Sequence, residues 1–277
     1  MGFWSFFVLE EFRRELLGVD WGRTAEAVEA FIAEKVDGAG VRGVVLGLSG
    51  GVDSSVVATL CVRALSPDRV LGLVMPAEFT PTQDVQDAET LAKNLGIETV
   101  YAPIKGVVDG YAAVLGVGPS YATRIPYANL RARIRMSILY FYANLRNLLV
   151  VGTGDRSEIL LGYYTKYGDA GVDFLPVGNI YKTQLRMLGK HLGLPDSIAF
   201  KPSSPQLYPG HRAVDELPAD YDTLDPILYA LYDKNMSADM VVGLGADRRV
   251  VEAVVARFKG SMHKREMPPV GPRPVKA

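Results

Sequence analysis

Three apolar runs separated by helical segments set the strongest limit on what this chain can fold into. "RGVVLGL" (42–48), "RVLGLVMP" (69–76) and "ETVYAPI" (98–104) read as strands, and 54–65 and 80–96 between them read as helices. The second of these helices has a threonine start, early acidic residues and Gly96 at its end, all boundary signals. Apolar strand runs of this kind bury both faces, and parallel neighbours need a crossover helix between them. The pattern predicts an α/β fold: a doubly wound parallel sheet, Rossmann-like, with flanking helices.

A helical stripe at 24–36 precedes the first strand. Downstream, a long helix with arginines on one side is expected at 129–147, a fourth strand at 148–152 and a short helix at 155–161. Further helices are expected at 179–195 and near 221–232 and 247–259, while the closing "SMHKREMPPVGPRPVKA" carries too much proline for a helix. The chain thus divides into a helical N-terminal extension (1–18), one domain (19–262) and a proline-rich C-terminal tail (263–277).

At 277 residues the chain suits one large α/β domain. Its 30 basic and 31 acidic residues give a net charge of −1, which argues against a broad basic face for nucleic acid. The apolar start "MGFWSFFVLEEFRRELLG" has no basic region before it and meets charges at once. It reads as an amphipathic helix docked on the body or on a second subunit, not as a signal or a membrane span. A soluble, cytoplasmic protein without nucleic-acid or membrane partners is expected. The single cysteine, Cys61, lies in an apolar run and reads as a buried filler. One cysteine and three histidines (His191, His211, His263) do not make a cysteine- or histidine-rich metal site.

The chemistry is concentrated in "GLSGGVDSS", Gly47 to Ser55, between the first strand and its helix. Ligands of open parallel sheets bind beyond the carboxyl ends of the strands. Gly50 and Gly51 let a ligand approach the backbone, and the unpaired amides at the helix start favour an anion. Asp53 stands where Mg²⁺ could join it to phosphate oxygens. A plain βα turn with Asp53 or Ser54 as a cap is the alternative. No lysine sits in the loop, which excludes the G-x-x-x-x-G-K-[ST] phosphate loop.

SGGVDSS resembles the pyrophosphate loop (PP-loop) of the N-type ATP pyrophosphatases, whose fold is of the adenine nucleotide alpha hydrolase type. "VVGTGDRSEILLGYYTKYGDAGVDFLPVGNIYKTQL" (150–185), with "NLRARIRM" before it and "HKRE" after it, is similar to the ammonia-dependent NAD⁺ synthetase family. The likeness spans roughly 19–268. It implies a ligase of NAD biosynthesis that adenylates the carboxylate of deamido-NAD with ATP, releases pyrophosphate and then lets ammonia displace AMP. It further implies ATP contacts at Gly47, Leu48, Ser49, Gly50, Gly51, Val52, Asp53, Ser54, Thr153, Lys182 and Ser203. Asp53 and Glu158 would hold Mg²⁺, and with Lys182 they would form the catalytic set. Arg133, Lys166, Asp173, His263 and Lys264 would hold deamido-NAD, under a lid at 162–174. Family members are usually homodimers, and apolar Ile138, Leu139, Phe141, Tyr142 and Leu145 on the 129–147 helix exceed one stripe. The chain has neither the length nor a suitable cysteine for an amidotransferase domain, so free ammonia is the expected donor.

Each residue also has a plainer reading. Asp155 and Glu158 form a D-x-x-E capping box, so Glu158 could cap a helix. Arg131, Arg133 and Arg135 could be a solvated face, although 131 and 135 share a side that 133 does not. Lys166 and Asp173 could be ordinary loop charges, and His263 a solvated tail residue. Pro202-Ser203-Ser204-Pro205-Gln206 departs from the family's usual run, which leaves Ser203 and Ser204 as alternatives. Gly210-His211-Arg212 and GDA at 168–170 also depart from it. Another adenylating member, such as a GMP-synthetase-type ATPase subunit or a tRNA thiolase, shares the loop but not the other motifs.

Overall fold

The computed structural model describes residues 4–274. Its centre is a parallel sheet in the order β3-β2-β1-β4, built from β1 (Gly43–Gly47), β2 (Val70–Val74), β3 (Glu98–Tyr101) and β4 (Leu148–Val150). Val44 of β1 stands opposite Val70 on one side and Leu149 on the other. Gly43 is required at that edge of the pairing, because a Cβ there would lie 2.0 Å from the Arg69 carbonyl oxygen.

Alternate residues of β1 serve two cores, as the period of a strand demands. Val44 and Leu46 pack with α2 (Trp21–Ala39), α3 (Val52–Leu65) and α4 (Thr82–Leu95). Val45 packs on the other side with α5 (Lys105–Leu115) and α6 (Arg124–Arg146). The expected doubly wound parallel sheet is therefore present. β3 differs from the expectation of a strand covered on both faces: Glu98, Thr99 and Tyr101 are exposed, because it is the edge strand. α5 was not foreseen, since Gly106 and Gly110 interrupt its helical pattern. α6 begins five residues before the expected start. Pro126 is tolerated there because first-turn amides have no intrahelical partner.

A second, helical core stands beyond the sheet. It joins α1 (Trp4–Leu17) and the short α7 (Arg156–Leu161) to α10 (Tyr221–Tyr232), α11 (Ala238–Gly243) and α12 (Arg248–Gly260), with α8 (Lys182–His191) lying between the two cores and α9 (Asp196–Ala199) packed on α3 and α8 in the first. α1 lies against α10, with Arg13 to Asp222 at 3.0 Å and the Tyr229 hydroxyl donating to Glu15 at 2.6 Å. The expectation of no helix after Ser261 is corrected by α13 (Met262–Arg265), since the prolines begin three residues beyond it and leave room for one turn. Among the described residues, no helix is long and apolar enough to cross a membrane.

Cys61 is fully buried on α3, and burial pushes its thiol up to about 12. Alkylation at about pH 8 should therefore leave the folded protein unmodified and label it once denatured, as mass spectrometry would show.

Candidate active site

The turn from β1 into α3 is held by its own hydroxyls. The Ser49 amide donates to Ser54 Oγ at 3.2 Å, the Gly51 amide to Ser49 Oγ at 3.3 Å, and Ser55 Oγ to the Gly51 carbonyl at 2.7 Å. Gly50 has φ +72°, and a Cβ there would lie 2.2 Å from the Asp84 carbonyl oxygen, so both conformation and space require glycine. Lys201, which the sequence reading overlooked, clamps the turn. Its ammonium donates to the Gly50 carbonyl at 3.1 Å and to Asp87 at 2.7 Å, and it also pairs with Asp84.

A cavity of about 270 Å³ opens above this turn. Gly47, Leu48, Ser49, Asp53, Ser54, Thr153, Glu158 and Ser203 all line it. Gly51 and Val52 face an adjoining cavity that shares Ser49, Asp53 and Ser203. Ser203 and Ser204 both line the cavity and differ in their hydrogen bonds. Ser204 Oγ donates to the His211 carbonyl, whereas the buried Ser203 Oγ finds no partner among the described residues.

Lys182, at the start of α8, lies beneath the cavity with no exposed surface. Its ammonium is 2.5 Å from Asp53 Oδ1, 2.9 Å from Asp155 Oδ2 and 3.0 Å from Glu158 Oε1. Burial by itself would lower the pKa of this lysine, but Asp155, Asp53 and Glu158 outweigh it and hold the group well above its usual value. Burial raises Glu158 and Asp155, Lys182 opposes it, and the neighbouring carboxylates push further upward. Three carboxylates against one ammonium leave negative charge uncompensated. Their oxygens come within 4.8 Å of one another, a hard-donor set that fits Mg²⁺.

The capping reading of Glu158 is realised, and the same side chain also joins the charged cluster. Its amide donates to Asp155 Oδ1 at 2.8 Å, and its Oε2 accepts the Asp155 amide at 3.3 Å, while Oε1 faces Lys182. Asp155, read from sequence as a cap alone, is also a member of the charged cluster. Of the arginine run only Arg133 is exposed. Arg131 is buried against Glu78 at 3.1 Å, and Arg135 lines the cavity and donates to the Met75 carbonyl at 3.0 Å. Burial, with Arg131 adding to it, lowers Arg135 to about 10. Asp169, also missed, lines the cavity from the "GDA" segment.

Arg133, Lys166, Asp173, His263 and Lys264 do not line the cavity. Four of them gather at the 162–174 loop. Lys166 donates to the His263 carbonyl at 2.5 Å, Arg133 reaches the Lys166 carbonyl at 3.3 Å, and Lys264 donates to the Gly162 and Tyr164 carbonyls at 2.7 and 2.6 Å. Asp173, near the far end of the same loop, accepts the Val150 amide at 2.7 Å and the Tyr140 hydroxyl at 3.0 Å and bonds none of the other four.

A parallel sheet with this glycine turn and carboxylate cluster at its carboxyl edge defines a Rossmann-like α/β protein of the PP-loop class. The family model for NAD synthase matches residues 24–268. The NH(3)-dependent NAD(+) synthetase of Hyperthermus butylicus is 50% identical over 259 residues, covering 92% of either chain. The solved NMN synthetase from Francisella tularensis superposes with a TM-score of 0.80 at 29% identity, over 91% of this chain and 99% of that one. The NH3-dependent NAD synthetase from Campylobacter jejuni superposes with a TM-score of 0.77 at 34% identity, over 92% and 100%. The chain belongs to the NAD synthase family.

Replacing Lys182 with methionine removes the ammonium and leaves buried carboxylates in contact. Denaturant unfolding should report a loss of about 3–5 kcal/mol. Carboxylates whose folded pKa is raised add stability when protonated and lose it as pH rises, so the deficit should widen from about pH 5 to about pH 8.

Proposed function

We propose that the protein joins ammonia to the nicotinate carboxylate of deamido-NAD, using ATP and Mg²⁺, to give NAD⁺, AMP and pyrophosphate. The observation that carries this reading is the meeting of Asp53, Asp155 and Glu158 around Lys182 at the mouth of the glycine turn. In the first step a carboxylate oxygen of the substrate bonds to the α-phosphorus of ATP, and the bond to the β,γ-pyrophosphate breaks. In the second, the nitrogen of ammonia bonds to the activated carbonyl carbon, AMP departs and a proton is lost. No residue of the protein is modified.

The turn residues Gly47 to Ser54, with Thr153 and Ser203, embrace ATP through amides and hydroxyls. The unpartnered Ser203 Oγ supports its place in that set. Asp53 and Glu158 would hold Mg²⁺, which when bound would offset the charge of the carboxylates and of the triphosphate. Lys182 stabilises charge that develops at the departing pyrophosphate, from a site with no exposed surface of its own. Asp53, Glu158 and Lys182 form the catalytic set. Arg133, Lys166, Asp173, His263 and Lys264 hold deamido-NAD under the 162–174 lid, which keeps water from the mixed anhydride.

The protein works in the cytoplasm as a homodimer. Support for the dimer comes from α5 and α6 and the segment between them, where Val114 and Tyr121 are 85% and 89% exposed and Phe141 and Leu145 add further apolar surface.

Incubation with ATP, Mg²⁺, ammonium and deamido-NAD is expected to yield AMP, pyrophosphate and NAD⁺ in equal amounts. ADP and phosphate as products would refute the mechanism. Glutamine is expected not to replace ammonium, and nicotinic acid mononucleotide to be used with at least about tenfold lower kcat/KM. A preference for the mononucleotide would overturn the substrate assignment. Chelation of Mg²⁺ and Asp53→Ala should each abolish pyrophosphate release. For the dimer, Phe141→Asp is expected to shift the mass measured by light scattering to that of one chain; an unchanged mass would place the apolar face outside any interface.

A further inference from the structure

Asp225 is a fully buried carboxylate of α10, in the helical core beside Leu224, Ile227 and Leu228. It takes no part in the chemistry above and lines neither cavity. Its Oδ1 accepts the Ser157 hydroxyl at 2.6 Å. Its Oδ2 accepts both the amide and the hydroxyl of Thr183, at 2.8 and 2.7 Å. Ser157 Oγ in turn accepts the Lys182 amide at 2.9 Å.

These bonds join three helices at a particular place. Ser157 precedes Glu158 in the first turn of α7, and Lys182 and Thr183 are the first two residues of α8. First-turn amides have no partner within their own helix. Here the Lys182 amide is satisfied by Ser157 and the Thr183 amide by Asp225, so the start of α8 is tied to the start of α7 by one carboxylate from a third helix. Burial pushes the Asp225 carboxyl up to about 7. A charge kept in such a place costs stability that an apolar residue would not, so its value lies in what it holds.

We infer that Asp225 is a positioning residue for the reaction, which sets the separation of Glu158 and Lys182 by binding the first turns of the helices that carry them. The inference rests on the roles proposed above for those two residues. Their side chains meet at 3.0 Å. A displacement of about 1 Å between reacting groups can cost about 100-fold in rate. Asp225 touches neither substrate nor cavity and acts only through Ser157, Lys182 and Thr183.

The test compares Asp225→Asn, Ser157→Ala and the pair, in the full-length protein, with ATP, Mg²⁺, deamido-NAD and ammonium near saturation. For Asp225→Asn, kcat is expected to fall about 10- to 100-fold, with KM for ATP within about threefold of wild type. Ser157→Ala should lower kcat in the same direction, and the pair should be no worse than about the worse single variant, because both remove one linkage. Unchanged kcat in folded Asp225→Asn overturns the inference. So does a pair whose losses multiply, or a loss that disappears when the assay is cooled well below the variant's thermal midpoint. If Asp225→Asn does not fold, Ser157→Ala and Thr183→Val decide the matter: a fall of about tenfold or more supports the assignment, and wild-type kcat in both refutes it. Failure of the proposed reaction would appear in the wild-type protein, and failure of this assignment only in the variants.

Discussion

The ammonium of Lys182, set among Asp53, Asp155 and Glu158, is the contact on which the site depends. The three carboxylates come from the start of α3 and from the cap and first turn of α7, and among the described residues Lys182 is the cation paired with all of them. At such separations, with little water between them, like charges repel by several kcal/mol. The lysine offsets this from below, and its own burial is offset by the same three partners. One positive charge does not balance three negative ones, so the cluster carries net negative charge when all three are ionised. That residue of charge suits a divalent cation and its bound phosphates better than it suits an uncharged ligand.

Around that centre the chain uses the same economy of contacts. Lys201 clamps the glycine turn through the Gly50 carbonyl, Asp87 and Asp84. Lys166, Arg133 and Lys264 hold the 162–174 loop and the C-terminal turn together by donating to backbone carbonyls. A cation bound to neutral carbonyls is not offset by a counter-charge, unlike one paired with a carboxylate. Arg131, paired with Glu78, is by contrast a structural arginine. Arg131 and Arg133 thus have different partners within a single helix, the Glu78 carboxylate for one and a loop carbonyl for the other.

Several elements were legible in the residues because their causes are local. The apolar runs of β1 and β2 reflect interior strands, and the D-x-x-E box at 155–158 forms both of its expected bonds. Other elements were not legible. Gly106 and Gly110 hid α5, and the prolines of the tail obscured the single turn of α13. β3 lies at the sheet's edge, a position that its own residues do not state. Asp169, Lys201 and Asp225 carry no local signature at all. Each acquires a role only from what folding sets beside it.

The sequence by itself determined the α/β class and the glycine turn, because period, turn chemistry and helix caps act over a few neighbouring residues. It also carried the family likeness, through the order of its motifs. Tertiary structure alone decided which charges meet. Lys182 and Asp53 are 129 positions apart, and their 2.5 Å contact exists because the sheet brings the starts of α3 and α8 to one edge. It decided as well that Arg131 and Arg135 turn inward and that the Ser204 hydroxyl is engaged by the His211 carbonyl while that of Ser203 is not hydrogen-bonded. Distances between remote parts of a chain are set by the packing of whole layers, and no single stretch of residues contains them.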